Sequence, residues 1–171
     1  KDKLPEITTS ARGFKEIMDV LPPDQQTRQL KPQEEYFTLV KDTLPKLTIN
    51  EDSFKCIMDA LPPTQKEEYF NKLPEITNSS RDFEIIMYGL TSDDQTTQLN
   101  QQAEYFGLVK DKLPEITTNA RDFKEIMDVL PPTQKEEYFD SIKEISNKLP
   151  TLTKSANSFR AIMGALPPDQ Q

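Results

Sequence analysis

Apolar residues return along this chain with helical spacing, and the same spacing returns five times. Phe14, Ile17, Met18 and Leu21 fall at offsets of 0, 3, 4 and 7, a single stripe down one side of a helix. The frame recurs from Phe54, Phe83, Phe123 and Phe159. Four residues before each of these phenylalanines stands Ser10, Asn50, Ser79, Asn119 or Ser155. Ser and Asn there read as N-caps, because their side-chain oxygen accepts a backbone N–H that the first turn leaves unbonded. The frame stops at Pro22-Pro23, Pro62-Pro63, Pro131-Pro132 and Pro167-Pro168, and at Thr91-Ser92 in the third copy. Proline cannot donate the helical hydrogen bond and disfavours helical geometry in its predecessor. Each copy is therefore predicted to hold one short, capped helix.

A second helix is predicted around Tyr-Phe at 36–37, 69–70, 105–106 and 138–139. From each of these phenylalanines to the next Leu-Pro is 7, 3, 7 and 10 residues. All are near whole turns at 3.6 residues per turn, so the insertions keep one helical face. Leu21 to Tyr36 is 15 residues and Leu61 to Tyr69 is 8, again two turns apart. In the third copy Leu99, Phe106, Val109 and Leu113 extend that face over a helix of roughly 20 residues. Pro32 either kinks the matching helix of the first copy or begins it.

Leu-Pro marks the period, at Leu4-Pro5, Leu44-Pro45, Leu73-Pro74, Leu113-Pro114 and Leu149-Pro150. Residues 4–23 and 113–132 are identical at 18 of 20 positions, which only duplication explains. The repeat units are 4–43, 44–72, 73–112, 113–148 and 149–171. One hairpin cannot bury its own stripe, whereas stacked hairpins bury a continuous core. The fold expected is all-α: tandem helix-turn-helix repeats stacked into one α-solenoid over residues 1–171, with about ten helices. Lys1-Asp2-Lys3 matches Lys110-Asp111-Lys112, and Pro167 to Gln171 matches Pro22 to Gln26, as in a fragment of a longer array.

Composition narrows the function more than the fold. Leu, Ile, Val and Phe make up about a quarter of the residues, above the roughly 20% below which disorder becomes the default. The net charge of -8 argues against nucleic acid and anionic membranes, both of which call for basic surfaces. A basic protein surface suits it, although solubility alone also accounts for acidity. With no His and only Cys56, neither an internal disulfide nor a Cys/His zinc site can form, and a Ser-His-Asp set is excluded. Glycine-rich phosphate loops and EF-hand patterns are absent. No cofactor, metal or catalytic residue is expected.

Glu34-Glu35, Glu67-Glu68 and Glu136-Glu137 could suggest paired acids. Neighbours in sequence do not face each other on a helix, so a solvated face near a helix start suits them better. Met18, Met58, Met87, Met127 and Met163 share one repeat position inside the stripe and read as core, as do the five phenylalanines. Each Tyr of a Tyr-Phe pair is expected to be half-buried. Tyr88 alone among the 14 aromatic residues leaves the frame, standing where other copies have Asp19, Asp59 and Asp128. Ile85 replaces Glu16 and Glu125, and Cys56 occupies that same position in the second copy. Cys56, Ile85 and Tyr88 are candidate partner-binding residues, the alternative being that they pack on an adjoining helix. Phe123 is expected to be costly to lose, and Glu125, on the other face, nearly free.

The run Phe123-Lys-Glu-Ile-Met-Asp-Val-Leu130 with Gln134, together with Lys110-Asp-Lys-Leu-Pro-Glu-Ile116, resembles helical repeats of secreted effector proteins of Legionella-type intracellular bacteria. The resemblance implies a type IV-secreted, host-directed binding scaffold without catalytic residues. Delivery into a host cell follows from the resemblance only, with a cytoplasmic protein as the alternative. The function expected is non-catalytic binding of a partner protein. Two further classes stay open: the recognition arm of an enzyme whose catalytic domain lies elsewhere, and a helical-repeat nucleic-acid binder, which here would lack basic residues at repeated positions.

Overall fold

The caps set the frame of the fold. In the computed structural model, which describes residues 4–22, 32–90 and 95–168, the side chains of Ser10, Asn50, Ser79, Asn119 and Ser155 each accept a backbone N–H from the first turn that follows. They open α2 (Ala11–Val20), α5 (Glu51–Ala60), α8 (Ser80–Gly89), α11 (Ala120–Val129) and α14 (Ala156–Ala165). Asn119 and Asp122 close a reciprocal capping box on α11, satisfying two orphan donors at once.

The double prolines stop one helix and start the next. α5 and α11 end one residue before their C-caps Leu61 and Leu130, and the second proline is already the first residue of α6 (Pro63–Phe70) and α12 (Pro132–Glu144). A proline is tolerated in the first turn because its missing N–H would be unbonded there anyway. The described part of α3 is Pro32–Val40, and the residues that decide whether Pro32 begins this helix or kinks it lie outside the described ones. The stops at Pro23 and Thr91-Ser92 lie outside the described residues, as do Lys1-Asp2-Lys3 and the last part of the Pro167–Gln171 match.

Every described residue is helical or in a turn, bend or loop, with no strand among them, so the chain is all-α. It holds more helices than the ten or so expected. Each Leu-Pro segment forms a helical turn of its own: α1 (Leu4–Ile7), α4 (Leu44–Leu47), α7 (Leu73–Ile76), α10 (Leu113–Ile116) and α13 (Lys148–Leu152). The turn before Leu113 breaks the third aromatic helix, so its face does not continue through Leu113, and the described part of α9 is Gln95–Val109. Leu99, placed by period on its buried face, is exposed, and Gln102 is buried in the same helix. The apolar face begins only where α9 meets the capped helix of its repeat.

The chain forms two compact units, Lys1–Ile76 and Thr77–Gln171. In the first, α2 packs on α5, α1 on α3 and α4 on α7. In the second, α8 packs on α11, α11 on α14, and α12 on both α10 and α13. Capped helices of successive repeats thus lie against each other within each unit, and the phenylalanine heading each stripe in the first four repeats packs on the aromatic helix of its own repeat. Phe14, Phe54, Phe83 and Phe123 are fully buried.

The tyrosines are not half-buried. Tyr36, Tyr69, Tyr105 and Tyr138 are at most 1% exposed, and each ring lies against the phenylalanine of its own repeat at centroid distances of 5.6, 6.2, 5.5 and 5.6 Å. A buried hydroxyl needs a partner, and a threonine supplies it every time. Thr8 meets Tyr36 at 2.7 Å, Thr77 meets Tyr105 at 2.8 Å, Thr117 meets Tyr138 at 2.6 Å, and Thr48 meets Tyr69. Thr48 and Thr117 donate their own hydroxyls to the carbonyls of Leu44 and Leu113, so the tyrosine must be the donor in those two pairs. The Leu-Pro turn is therefore fastened to the aromatic helix by a Thr-Tyr bond.

Candidate interaction surface

Some polar positions of the repeat bond within it. Gln33 donates to the carbonyls of Met18 and Leu21, and Gln102 to that of Met87. These are carbonyls at the C-terminal end of a helix, which have no helical partner. The glutamates before each Tyr-Phe face solvent as expected, and two of them also reach across repeats: Lys41 pairs with Glu68 at 2.7 Å and Lys110 with Glu137 at 2.8 Å. Such exposed pairs contribute about 0–1 kcal/mol each, so they set register more than stability. Among the described residues no group of three or more His, Cys, Asp or Glu side chains converges for a metal. No described helix is long and apolar enough to cross a membrane.

Cys56 lies in the first unit, half-buried, with its Sγ 3.5 Å from the carbonyl oxygen of Ala11, the first residue of α2. Burial raises the thiol above its usual pKa, with Lys15 opposing it, so little reactive thiolate forms at neutral pH. The position it occupies is a seam between successive capped helices. Glu125 takes the same place in α11 and receives the hydroxyl of Ser80, the first residue of α8, at 2.8 Å.

That contact changes the standing of Glu125. Its side chain is 22% exposed, and it also pairs with Arg121 at 2.8 Å. Ser80 is 4% exposed and touches Asp122 at 3.1 Å as well. One hydroxyl carries one proton, so it donates to one carboxylate at a time. Arg121 first and Ser80 second hold Glu125 below the usual carboxylate range. At Asp122 burial pushes upward, and hydrogen bonds from Thr118, Ser80 and Asn119 together outweigh it and lower the pKa. Ser80→Ala, which restores the alanine found at Ala11, Ala120 and Ala156, should therefore cost about 1–2 kcal/mol in urea unfolding. Unchanged stability would show that the hydroxyl contributes nothing to the seam.

Ile85 and Tyr88 lie in the second unit, three residues apart on α8 and so on neighbouring parts of its surface. Ile85 is half-buried and Tyr88 is 47% exposed. These two share a unit, whereas Cys56 belongs to the other. Sequence reasoning missed the threonines and the role of the glutamines. The threonine signal was present, since Thr8, Thr48, Thr77, Thr117 and Thr153 all stand four residues after the Leu of Leu-Pro.

One open groove of about 520 Å³ runs along α12 in the second unit. Thr133, Glu136, Glu137, Asp140, Ser141 and Glu144 form one stripe of that helix, and Phe106, Lys110 and Asp111 close the other wall. Lys110 is engaged by Glu137, leaving the lining predominantly acidic. Against all this, no protein-family model, curated protein or solved structure matches the chain.

Proposed function

We propose that the chain is a non-catalytic helical-repeat scaffold, its repeats stacked as an α-solenoid, that binds a partner protein with a basic surface. The observation that carries this reading is the division of labour within the repeat. In the first four repeats the recurring Phe-Tyr-Thr set packs inward and the caps finish helices, while Phe159 of the fifth repeat is exposed. Of the residues that break the frame, Tyr88 stands at the surface and Ile85 and Cys56 are half-buried. Stacked arrays use such variable outer positions for recognition over a constant interior. An exposed aromatic ring also supplies contact area at low entropic cost.

The acidic groove along α12 suits a cationic partner segment, and such binding weakens with added salt. The likeness of the Phe123–Leu130 frame to effector repeats extends the proposal to a host protein as that partner.

The test uses photocrosslinking side chains placed at Tyr88 and, separately, at Glu144. Both should capture one common protein, and that protein, once purified, should bind roughly tenfold or more weakly to the Ile85→Glu, Tyr88→Asp double variant. The variant restores acids found in other repeats and should keep its thermal stability. Equal affinity for the variant and the parent chain would overturn the proposal.

A further inference from the structure

One interface occurs twice in this chain, once in each unit, and the two copies differ in one cation. Lys41 at the end of α3 pairs with Glu68 of α6 at 2.7 Å, and Lys110 at the end of α9 pairs with Glu137 of α12 at 2.8 Å. The lysines hold one place, directly after Val40 or Val109, and the glutamates hold another, directly before Tyr69 or Tyr138. The two pairs therefore put the facing helices in the same register. Each lysine is followed by an aspartate, Asp42 or Asp111.

The surroundings of the two aspartates differ. In the first unit Lys72 pairs with Asp42, and its hydrogen bond holds that carboxyl below the usual carboxylate range. Lys72 stands three residues after Tyr69, and three residues after Tyr138 stands Ser141, whose hydroxyl donates to the Tyr138 carbonyl at 2.6 Å. From Phe to Leu-Pro is 3 residues in the second repeat and 10 in the fourth. Lys148, which matches Lys72 in standing just before Leu-Pro, is thus two turns further from its tyrosine. Asp111 is exposed and makes no ion pair among the described residues. It lines the open groove of about 520 Å³ together with Ser141, and the added turns of α12 bring Asp140 and Glu144 to the same groove.

We propose, on the basic-partner reading, that Asp111 anchors this groove and holds a lysine side chain of the partner protein, as Asp42 holds Lys72. The first unit shows the occupant, an ammonium group on the equivalent carboxylate, reaching it from the facing side of the interface. A lysine is a compact point charge on a long apolar stem. Ser141 is short where Lys72 is long, so the stem of the incoming lysine lies along the α12 wall as the Lys72 stem lies in the first unit. Asp140 and Glu144 draw further cationic residues of the same segment.

The experiment uses the 171-residue chain and, as probe, a fluorescently labelled dodecameric peptide of alternating lysine and alanine. Anisotropy gives the affinity. A carbodiimide then joins carboxylates to the amines that touch them, and mass spectrometry maps the bonds. The internal Asp42–Lys72 bond is the positive control in every sample. The probe should be joined to Asp111 in preference to other carboxylates. Asp111→Asn and Ser141→Lys should each weaken binding roughly fivefold, and in the second variant the introduced lysine should be joined to Asp111. Asp42→Asn and Thr9→Lys make the same charge changes at exposed positions of the first unit and should alter affinity by less than about twofold. All four variants should keep the parent far-UV circular dichroism. Attachment spread evenly over Glu136, Asp140 and Glu144, or affinity indifferent to Asp111→Asn or to Ser141→Lys, would overturn the assignment of Asp111. Either result leaves the basic-partner reading standing, since the Tyr88 variant tests that reading without touching this groove. No saturable binding of the probe up to about 1 mM would also overturn the assignment.

Discussion

Phe123→Ala should destabilise the second unit by about 3–5 kcal/mol, the range for losing a wholly buried ring. The ring has no exposed surface. It stacks on Tyr138 at 5.6 Å and meets Phe139 edge-on at 6.1 Å, so the variant loses both burial and two aromatic contacts worth about 0.5–1.5 kcal/mol each. The vacated space lies against the Tyr138 ring, whose hydroxyl is held by Thr117, so the ring cannot move far into it without breaking that bond. Against a total stability of about 5–15 kcal/mol for a typical domain, the loss should unfold a sizeable fraction of the unit under mild urea. Glu125 is the wrong control for this experiment, because it closes the Ser80 seam. Glu16 is the proper one: it occupies the same repeat position, is 67% exposed and, among the described residues, pairs with Arg12 on its own helix. Glu16→Ala should change stability by less than about 0.5 kcal/mol. Equal losses for Phe123→Ala and Glu16→Ala would show that the stripe does not face the core.

How much of this was legible depends on whether a residue's role is local. Ser10, Asn50, Ser79, Asn119 and Ser155 were read as caps and are caps, because capping needs only the next three residues. Phe123, Ile126 and Met127 were read as core from spacing within one helix, and they are buried. The Leu-Pro turns were legible in principle, since proline at the second helical position favours a helix start. They were absorbed into the preceding helix because period alone cannot show a three-residue break. Roles that depend on a second helix stayed hidden. Glu125 and Cys56 share a position that looks outward on a single helix and turns out to touch the first residue of the preceding capped helix. Tyr138 seemed too polar for full burial until Thr117, 21 residues away, is brought within 2.6 Å. Phe159 has the same letter and the same offset as Phe123, and its exposure is fixed by what packs against it.

Alkaline pH should unfold the protein through its buried tyrosines. Burial raises Tyr36, Tyr69, Tyr105 and Tyr138 above the ordinary value and pushes Tyr69 up to about 12. Below the unfolded value of about 10 both states hold the proton, and the stabilisation from the neutral hydroxyl is fully present. Above it the unfolded chain releases the proton and the native chain does not, so stability falls as pH rises towards the native value. For Tyr105 and Tyr138 of the second unit, both held well above the ordinary value, the loss amounts to about 3 kcal/mol by pH ~11, from 1.36 kcal/mol per pKa unit. Tyrosinate absorbance and far-UV circular dichroism, recorded together, should show four of the five tyrosines ionising in the same step that melts the helices. Lysines lose charge in the same range, so Tyr138→Phe isolates the effect. It removes one titrating group and keeps the ring on Phe123, and Thr117 still donates to Leu113. At neutral pH it should cost about 1 kcal/mol, while the alkaline fall of the second unit becomes shallower. Tyrosinate forming at all five positions with the helices intact would show that the hydroxyls are reached by water and that the Thr-Tyr bonds do not seal the repeats.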